Sequence, residues 1–456
     1  FKVETMLIRF ITENFGSIKD RVEFSMAASK VARHPSHVHE VSGKRILRSS
    51  FIFGANAGGK TTFFRAMRFA IDVVRKGIRH VSCANRAFKL SGKLNDKGMF
   101  QFDFIVDRHV YSYGFVISYN SVSIVAEWLY LCDDAKKSVC LFNRETEKGG
   151  VRFETDLTAP ELDPQWFSFY KNDFAGGDNS QVLALNDLNR RQSQGNLLVE
   201  HARRVRTFFR RFVMIAPDDV YGNGFYLHGD ADSQSRLEEY LRLFDTGITK
   251  IILKELVYDE VLKTLPPPVR DELQHDFQRV LEGDKRKIHL TATASNNQKT
   301  LFFDIKNGKI RVRQLLFEHG KKEVFFERLE ESDGTRRLFD LLPLLLLLKS
   351  GAIVFVDEID RSLHTKATTE FIRRFLELTD RNGSQLIATT HDGELLDLDL
   401  LRQDEIWFVE RDDNHVSHLY PLSRFNARFD SKVKKDYLLG RYGALPIFGR
   451  LGEIEA

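Results

Sequence analysis

The sequence predicts an α/β fold in which a parallel core sheet carries a phosphate-binding loop, with an antiparallel sheet beside it and a helical insertion. Three observations predict it. The stretch GANAGGKTT, starting at Gly54, follows the apolar Phe51-Ile52-Phe53 and opens a helical pattern, with Gly54, Gly59, Lys60 and Thr61 in phosphate-loop register. Far downstream, the apolar run Ile353 to Val356 ends in the paired carboxylates Asp357-Glu358. After residue 335, strands and helices alternate, which is the pattern of a parallel sheet.

Such a loop turns backbone N–H groups and a helix N-terminus toward a polyphosphate. Lys60 then neutralises the terminal phosphates and Thr61 offers its hydroxyl to Mg²⁺; Asn56, Gly59 and Thr62 complete the candidate nucleotide-binding set. Two adjacent carboxylates at the end of a buried strand are costly unless one holds a metal and the other performs chemistry. Asp357 is placed to hold the Mg²⁺ that Thr61 touches, and Glu358 to polarise the attacking water. Standing alone, the pair would better suit a solvated strand end; beside the phosphate loop it reads as metal ligand and base.

In chain order, Met6 to Ile11 and Val22 to Ala27 alternate as strands do, with a turn at Asn14 to Ile18. Thr61 to Arg75 has helical spacing. Met99 to Tyr130 holds three short strands joined by tight turns, an antiparallel meander. Phe142 to Pro160 is polar and irregular, a candidate boundary. From Gln165 to about Gly283 the pattern turns helical, with segments at Gln181 to Val213, Asp232 to Leu243 and Pro268 to Leu281, punctuated by Pro266-Pro267-Pro268. Strands return at Ile288 to Thr293, Thr300 to Ile305 and Ile310 to Phe317, the last two joined by an Asn307-Gly308 turn. A Leu-rich helix, the Asp357-Glu358 strand, a helix from Lys366 to Leu378 and the strands "QLIATTHD" and "EIWFVE" follow. The expected division is 6–142 for the first part of a nucleotide-binding head, 143–287 for a helical insertion, 288–425 for the rest of the head and 426–456 for a tail packing on it.

Ahead of the Leu-rich helix stands Glu331-Ser332-Asp333-Gly334-Thr335. A small polar residue and a glycine at a helix N-terminus favour an anion, although Ser332 is equally suited to cap the helix. One chain already supplies a phosphate loop, so a second anion cradle suggests a nucleotide closed from another copy. Thr389-Thr390-His391-Asp392 ends a later strand; a lone histidine there is more often structural, but with the other three elements in order His391 is placed to reach a terminal phosphate.

A chain of 456 residues with 42% hydrophobic and 29% charged residues suits a soluble protein of one elaborated domain or two. Its 38 Phe are unusually many, and the net charge of +4 neither requires nor excludes nucleic acid. Three cysteines without CxxC spacing argue against a disulfide framework or zinc site and fit a cytoplasmic setting. The longest apolar run, Leu338 to Leu348, is interrupted by Asp340 and Pro343 and falls short of the ~20 residues that cross a bilayer, so no membrane partner is expected. Met6 reads as a starter methionine, and Phe1 to Thr5 are left out of the fold reasoning.

With phosphate loop, glycine signature, acidic strand and histidine in this order, the chain resembles the ABC/SMC-like ATPases. More closely it is similar to the AAA15/AAA21-type ATP-binding proteins of abortive-infection and anti-phage operons. The resemblance is carried by "MLIRFITENFGSIKD", "ILRSSFIFGANAGGKTT", "ESDGTRRL", "FVDEIDRSLH", "ATTHD", "LRQDEIWFVE" and "DYLLGRYGALP". It implies an ABC-type ATPase head that binds ATP and Mg²⁺, with Asp357 on the metal, Glu358 as general base and His391 as switch residue. Ser332 and Gly334 would contact the γ-phosphate held by an opposing subunit, giving a homodimer or higher homo-oligomer through ATP-sandwiched heads. The implied role is control of a separate effector, a nuclease (TOPRIM-type) or a toxin, in phage defence. Only 65 residues follow His391, too few for a TOPRIM domain on the ~100-residue scale of domains, hence a separate effector. The alternatives are an ATP-bound scaffold with little need for turnover, and a DNA-repair-type ATPase.

Two positions depart from the family pattern: Gly58 stands where Ser or Ala is usual, and Gly16 where the "NFxS" turn is often basic. No Q-loop glutamine is clear; Gln101 is the candidate. Arg203, Arg204, Arg206, Arg210 and Arg211 interleave with Phe208, Phe209 and Phe212, a pattern that suits a nucleic-acid backbone but better suits a helix with a buried aromatic stripe. His34, His37 and His39 lack a second ligand group and read as a solvated loop rather than a zinc site. Tyr437 to Pro446 reads as tail.

Overall fold

The long Phe-rich strands of the N-terminal region build an antiparallel sheet. Its strands are β1 (Thr5–Glu13), β2 (Val22–Ser25), β6 (Lys97–Val106), β7 (His109–Ser118), β8 (Ser123–Leu131), β9 (Val139–Glu147) and β10 (Gly150–Glu154), in the order β10-β9-β8-β7-β6-β1-β2. The computed structural model describes residues 4–90, 95–133, 138–147, 150–156, 162–177, 179–192, 195–219, 231–283, 301–306, 309–347, 351–379, 383–425 and 433–445. Strand periodicity puts Phe100, Phe102 and Phe104 on one buried face. Phe69 of helix α1 (Lys60–Lys76) packs 5.5 Å from Phe100, and Phe208 of a later helix stacks 3.8 Å from Phe104.

The second sheet positions the site. It contains β5 (Ser49–Phe53), β11 (Phe212–Ile215), β16 (Ile353–Val356), β17 (Gln385–Thr390), β18 (Ile406–Arg411) and β19 (Ser417–Pro421), ordered β11-β16-β17-β5-β18-β19. The first five are parallel and only β19 runs against its neighbour, as the alternating pattern implied. A hairpin of β3 (Val38–Val41) and β4 (Lys44–Leu47) leads into β5. Gln385 joins the two sheets: its side-chain oxygen accepts from Leu7 N at 2.6 Å, and its amide donates to the carbonyls of Leu7 and Leu47, both at 3.0 Å.

The described residues fall into two compact units, 1–217 with 348–360 and 372–456, and 218–347 with 361–371. The expected boundary at 142 therefore shifts. Residue 142 lies inside β9, which continues the meander into β10. Helices α2 (Pro164–Gly176), α3 (Ala184–Leu188) and α4 (Leu197–Arg210) belong to the same core as the two sheets, through Tyr170, Phe174, Leu185 and Phe208. A buried carboxylate fixes α3 there: Glu127 on β8 accepts from the backbone N–H groups of Ala184 and Leu185 at 2.6 and 2.9 Å and pairs with buried Arg144. The single helix expected over 181–213 is two helices followed by β11, so Phe212 belongs to a strand.

The second unit is not purely helical. It holds the sheet β12 (Lys250–Leu256), β14 (Lys309–Glu318) and β13 (Leu301–Lys306), with β15 (Phe325–Phe326) paired to β14. Around it are α5 (Ala231–Leu243), α6 (Tyr258–Thr264), α7 (Pro267–Gly283) and the Leu-rich α8 (Asp333–Leu347), whose Phe339 stacks 4.1 Å from Phe317. The expected strand Ile288 to Thr293 and the Asn307-Gly308 turn lie outside the described residues.

The remaining helices are α9 (Thr365–Leu378) and α10 (Val433–Leu438). The C-terminal segment covers β18: Phe408 stacks on Tyr437 and Tyr442 at 5.6 and 5.4 Å, and Glu410 accepts from Ala444 N at 3.1 Å. Among the described residues no helix is long and apolar enough to cross a membrane.

Candidate functional site

The loop from Gly54 to Gly59 leaves the C-terminal end of β5 and turns into α1, with Asn56 exposed at its crest and Lys60 buried at its base. Its shape needs left-handed backbone at Ala57 (φ 64°) and Gly59 (φ 119°). The β18–β19 hairpin lies directly against it. A Cβ at Gly54 would stand 2.3 Å from the carbonyl oxygen of Val409, and one at Gly59 would stand 2.3 Å from Ser417 Oγ. At Gly58, a departure from the family pattern, a Cβ would meet Val409 O at 3.0 Å and Ala55 O at 3.1 Å, so the extra glycine matches a close approach of backbone here. Gly16 has a similar reason: its φ is 59° and a Cβ would lie 2.8 Å from Thr62 Cγ2.

Lys60 Nζ donates to the carbonyls of Gly54 and Ala55 at 2.6 and 3.0 Å. Burial pulls its pKa below the ordinary lysine value, against the opposing pull of Asp360, Glu358 and Asp357. These carboxylates come from the end of β16, which is separated from β5 by β17. Strand β17 bridges the gap through Thr389, whose hydroxyl donates to Asp357 Oδ1 at 2.6 Å and accepts from the backbone N–H of Glu358 at 2.8 Å. The Thr61 hydroxyl also hydrogen-bonds the Asp357 carboxylate. Asp357 is wholly buried, and desolvation raises its pKa even though both threonines favour the charged form. Glu358 adopts φ 50°, left-handed backbone that is uncommon outside glycine and costs energy.

His391 follows β17 directly. Its Nδ1 lies 3.0 Å from Asp360 Oδ2, and its side chain is 53% exposed while that of Asp360 is 4% exposed. One sheet thus brings Lys60, Thr61, Asp357, Glu358 and His391 to the same C-terminal strand ends, within one unit. Ser332 and Gly334 belong to the other unit. Ser332 Oγ accepts from Thr335 N at 3.1 Å, so it caps α8, and Gly334 has no room for a Cβ because the Ser362 carbonyl would be 2.8 Å away. Thr389 and Asp360 join the expected residues here. Only Asp360 had a local signal, as the third carboxylate of "DEID".

The other signals resolve into structure. His37 Nδ1 sits 3.0 Å from Glu405, His39 Nε2 2.8 Å from Glu4 and His34 Nε2 2.9 Å from the Leu398 carbonyl. Phe208 and Phe209 are buried while Arg203 and Arg210 are exposed. The Gln101 amide donates to Asp103 on its own strand and to Ser112 on β7.

Thr61 and Asp357 offer hard oxygen donors side by side, the chemistry Mg²⁺ takes. One carboxylate with a hydroxyl fits that ion, because Mg²⁺ completes its shell with water and substrate phosphates rather than a protein cage. Fold and site together define a phosphate-loop α/β protein of the nucleotide-binding class. The chain belongs to the family described as "AAA domain, putative AbiEii toxin, Type IV TA system", whose model matches residues 49–397. It is an ATPase family, and the α/β phosphate-loop architecture expected from the sequence is the one observed.

Among solved structures, the chain is similar to the SMC head domain from Thermotoga maritima, with 11% identity, a TM-score of 0.33, and 91% of this chain and 98% of that one covered. It is also similar to an Smc head with an extended coiled coil, bound to the C-terminal domain of ScpA derived from Pyrococcus furiosus. There the identity is 12% and the TM-score 0.38, with 92% of this chain and 98% of that one covered. A third, an SmcHead bound to the C-winged helix domain of ScpA, has 11% identity and a TM-score of 0.39, with 92% and 99% covered. No curated protein matches the sequence.

Proposed function

We propose that this chain is a Mg²⁺-dependent ATP hydrolase whose two composite sites form when two copies meet. Its role would be that of sensor and engine of an anti-phage system, controlling a separate effector. The observation that carries the hydrolase reading is the Thr389 hydroxyl, which locks Asp357 and the backbone of Glu358 together beside Lys60 and Thr61. A residue pinned at an unfavourable φ by two neighbouring strands is preorganised rather than left to a flexible loop end.

In this reading the loop N–H groups and Lys60 hold the phosphates, and Thr62 hydrogen-bonds a phosphate oxygen. Lys60 is drawn toward a phosphate oxygen from the two carbonyls that now hold it. Thr61 and Asp357 would hold Mg²⁺, whose chemistry there would be to neutralise charge on the transferring phosphate. Glu358 takes the proton of the attacking water, and His391, oriented by Asp360, donates toward the γ-phosphate. Ser332, Gly334 and the N-terminus of α8 supply donors for the γ-phosphate of the opposing copy. Binding then joins the copies and hydrolysis releases them.

The test is phosphate release by wild type and by Glu358→Gln, with Mg²⁺ or with EDTA. Loss of the general base should slow release by roughly 10²–10⁴-fold while ATP still binds, and EDTA should stop it in both. Release by Glu358→Gln at the wild-type rate would overturn the assignment.

A further inference from the structure

A chain of hydroxyls runs behind the phosphate loop. Ser417 Oγ, on β19, is 2.7 Å from Ser17 Oγ and 2.9 Å from the carbonyl oxygen of Gly58. Ser17 Oγ is in turn 3.2 Å from Thr62 Oγ1. Ser417 is 2% exposed, and its backbone N–H donates to the Ser17 carbonyl at 2.8 Å, so strand and turn are locked in register independently of either hydroxyl.

Each hydroxyl has one proton to give. Ser417 donates to Ser17, sharing that proton with Gly58, and Ser17 donates to Thr62. Thr62 therefore receives a proton from within and keeps its own for another acceptor. Among the described residues Thr62 Oγ1 has no hydrogen-bonding partner but Ser17. The neighbouring glycines serve the same arrangement: Gly16 brings Ser17 up to Thr62, and Gly59 makes room for Ser417 Oγ.

Resting on the nucleotide reading above, we propose that Ser417 is a positioning residue of the phosphate site, acting through Ser17 to turn the Thr62 hydroxyl outward as a donor to a phosphate oxygen. Without the relay, Thr62 can spend its proton on Ser17 or on nearby water, and the phosphate loses an oriented donor. The contact with Gly58 holds the loop backbone and is secondary.

The experiment measures the affinity of the full chain for a fluorescent ATP analogue in Mg²⁺, together with its melting temperature. Ser417→Ala and Ser17→Ala should each weaken binding about tenfold, the scale of one hydrogen bond to a charged group, with little change in melting temperature. In a Thr62→Val background the same two substitutions should change affinity less than twofold, because the group they orient is gone. A packing role would instead give the same loss with Thr or Val at position 62, and that result would overturn the relay. So would wild-type affinity in Ser417→Ala and Ser17→Ala. Should Ser417→Ala fail to fold, the half-buried Ser17→Ala carries the same comparison. Wild-type protein that does not bind the analogue would overturn the nucleotide reading and the relay with it; binding by wild type with no coupling to Thr62 overturns the relay alone.

Discussion

Asp357, the proposed metal ligand, is held at the expense of the fold. Its carboxylate is wholly buried, and desolvation raises its pKa above 3.8 despite two threonine hydroxyls. The sign follows from linkage. At low pH the group is protonated in both the folded and unfolded chain and costs nothing. As pH rises through the raised folded value, the unfolded chain has already released the proton, and the folded chain must hold a buried charge. In EDTA, Asp357→Asn should therefore melt at a higher temperature than wild type, by a margin that is larger at pH 8 than at pH 5, and should lose the stabilisation that wild type gains from Mg²⁺ with ATP. Melting curves at the two pH values check this, and a variant less stable than wild type at pH 8 would count against it. That Asp357 and Glu358 lie beside the phosphate loop was legible only from the loop and the apolar run taken together, because the carboxylate pair alone suits a solvated strand end. Thr389, which holds both, was not, since a threonine at a strand end carries no local signal and its partners come from another strand.

Elements explain which glycines the phosphate loop needs. The motif names Gly54 and Gly59, but the structure gives the reason as the β18–β19 hairpin, a part of the chain more than three hundred residues later. Gly54→Ala drives a Cβ to 2.3 Å from a backbone carbonyl that cannot swing away, so a large fall in melting temperature or insoluble protein is expected. Gly58→Ala meets two carbonyls at 3.0 and 3.1 Å and should fold with weaker nucleotide affinity. Calorimetry and the fluorescent analogue separate the two cases, and equal behaviour would contradict the packing argument. Where the reading of elements went astray, the cause was short-range. Val205, Phe208, Phe209 and Phe212 keep helical spacing with no Gly or Pro to stop it, yet the chain leaves α4 after Arg210 and Phe212 begins β11. Likewise nothing local shows that polar β9 and β10 extend the meander, because what holds them is pairing with β8.

At the scale of the whole molecule, the residues proposed to share one triphosphate are divided. Lys60, Thr61, Asp357, Glu358 and His391 share one sheet, while Ser332 and Gly334 sit at the start of α8 in the other unit. The order of motifs along the chain did not convey this division, since 288–425 was expected to form one part of the head. Strands β13 and β14 stand where the sequence led one to expect them, but β12 lies inside the stretch expected to be helical, because its pairing partner β14 is more than fifty residues away. The central claim is that a triphosphate held by one copy is completed by Ser332 and Gly334 of another. The most direct test is the solution mass of Glu358→Gln, which should retain ATP, measured with and without Mg-ATP and alongside the double variant Glu358→Gln, Ser332→Arg. The account predicts that the mass doubles with Mg-ATP and that the added arginine prevents doubling while ATP still binds. An unchanged mass with ATP bound, or doubling that survives Ser332→Arg, would contradict it.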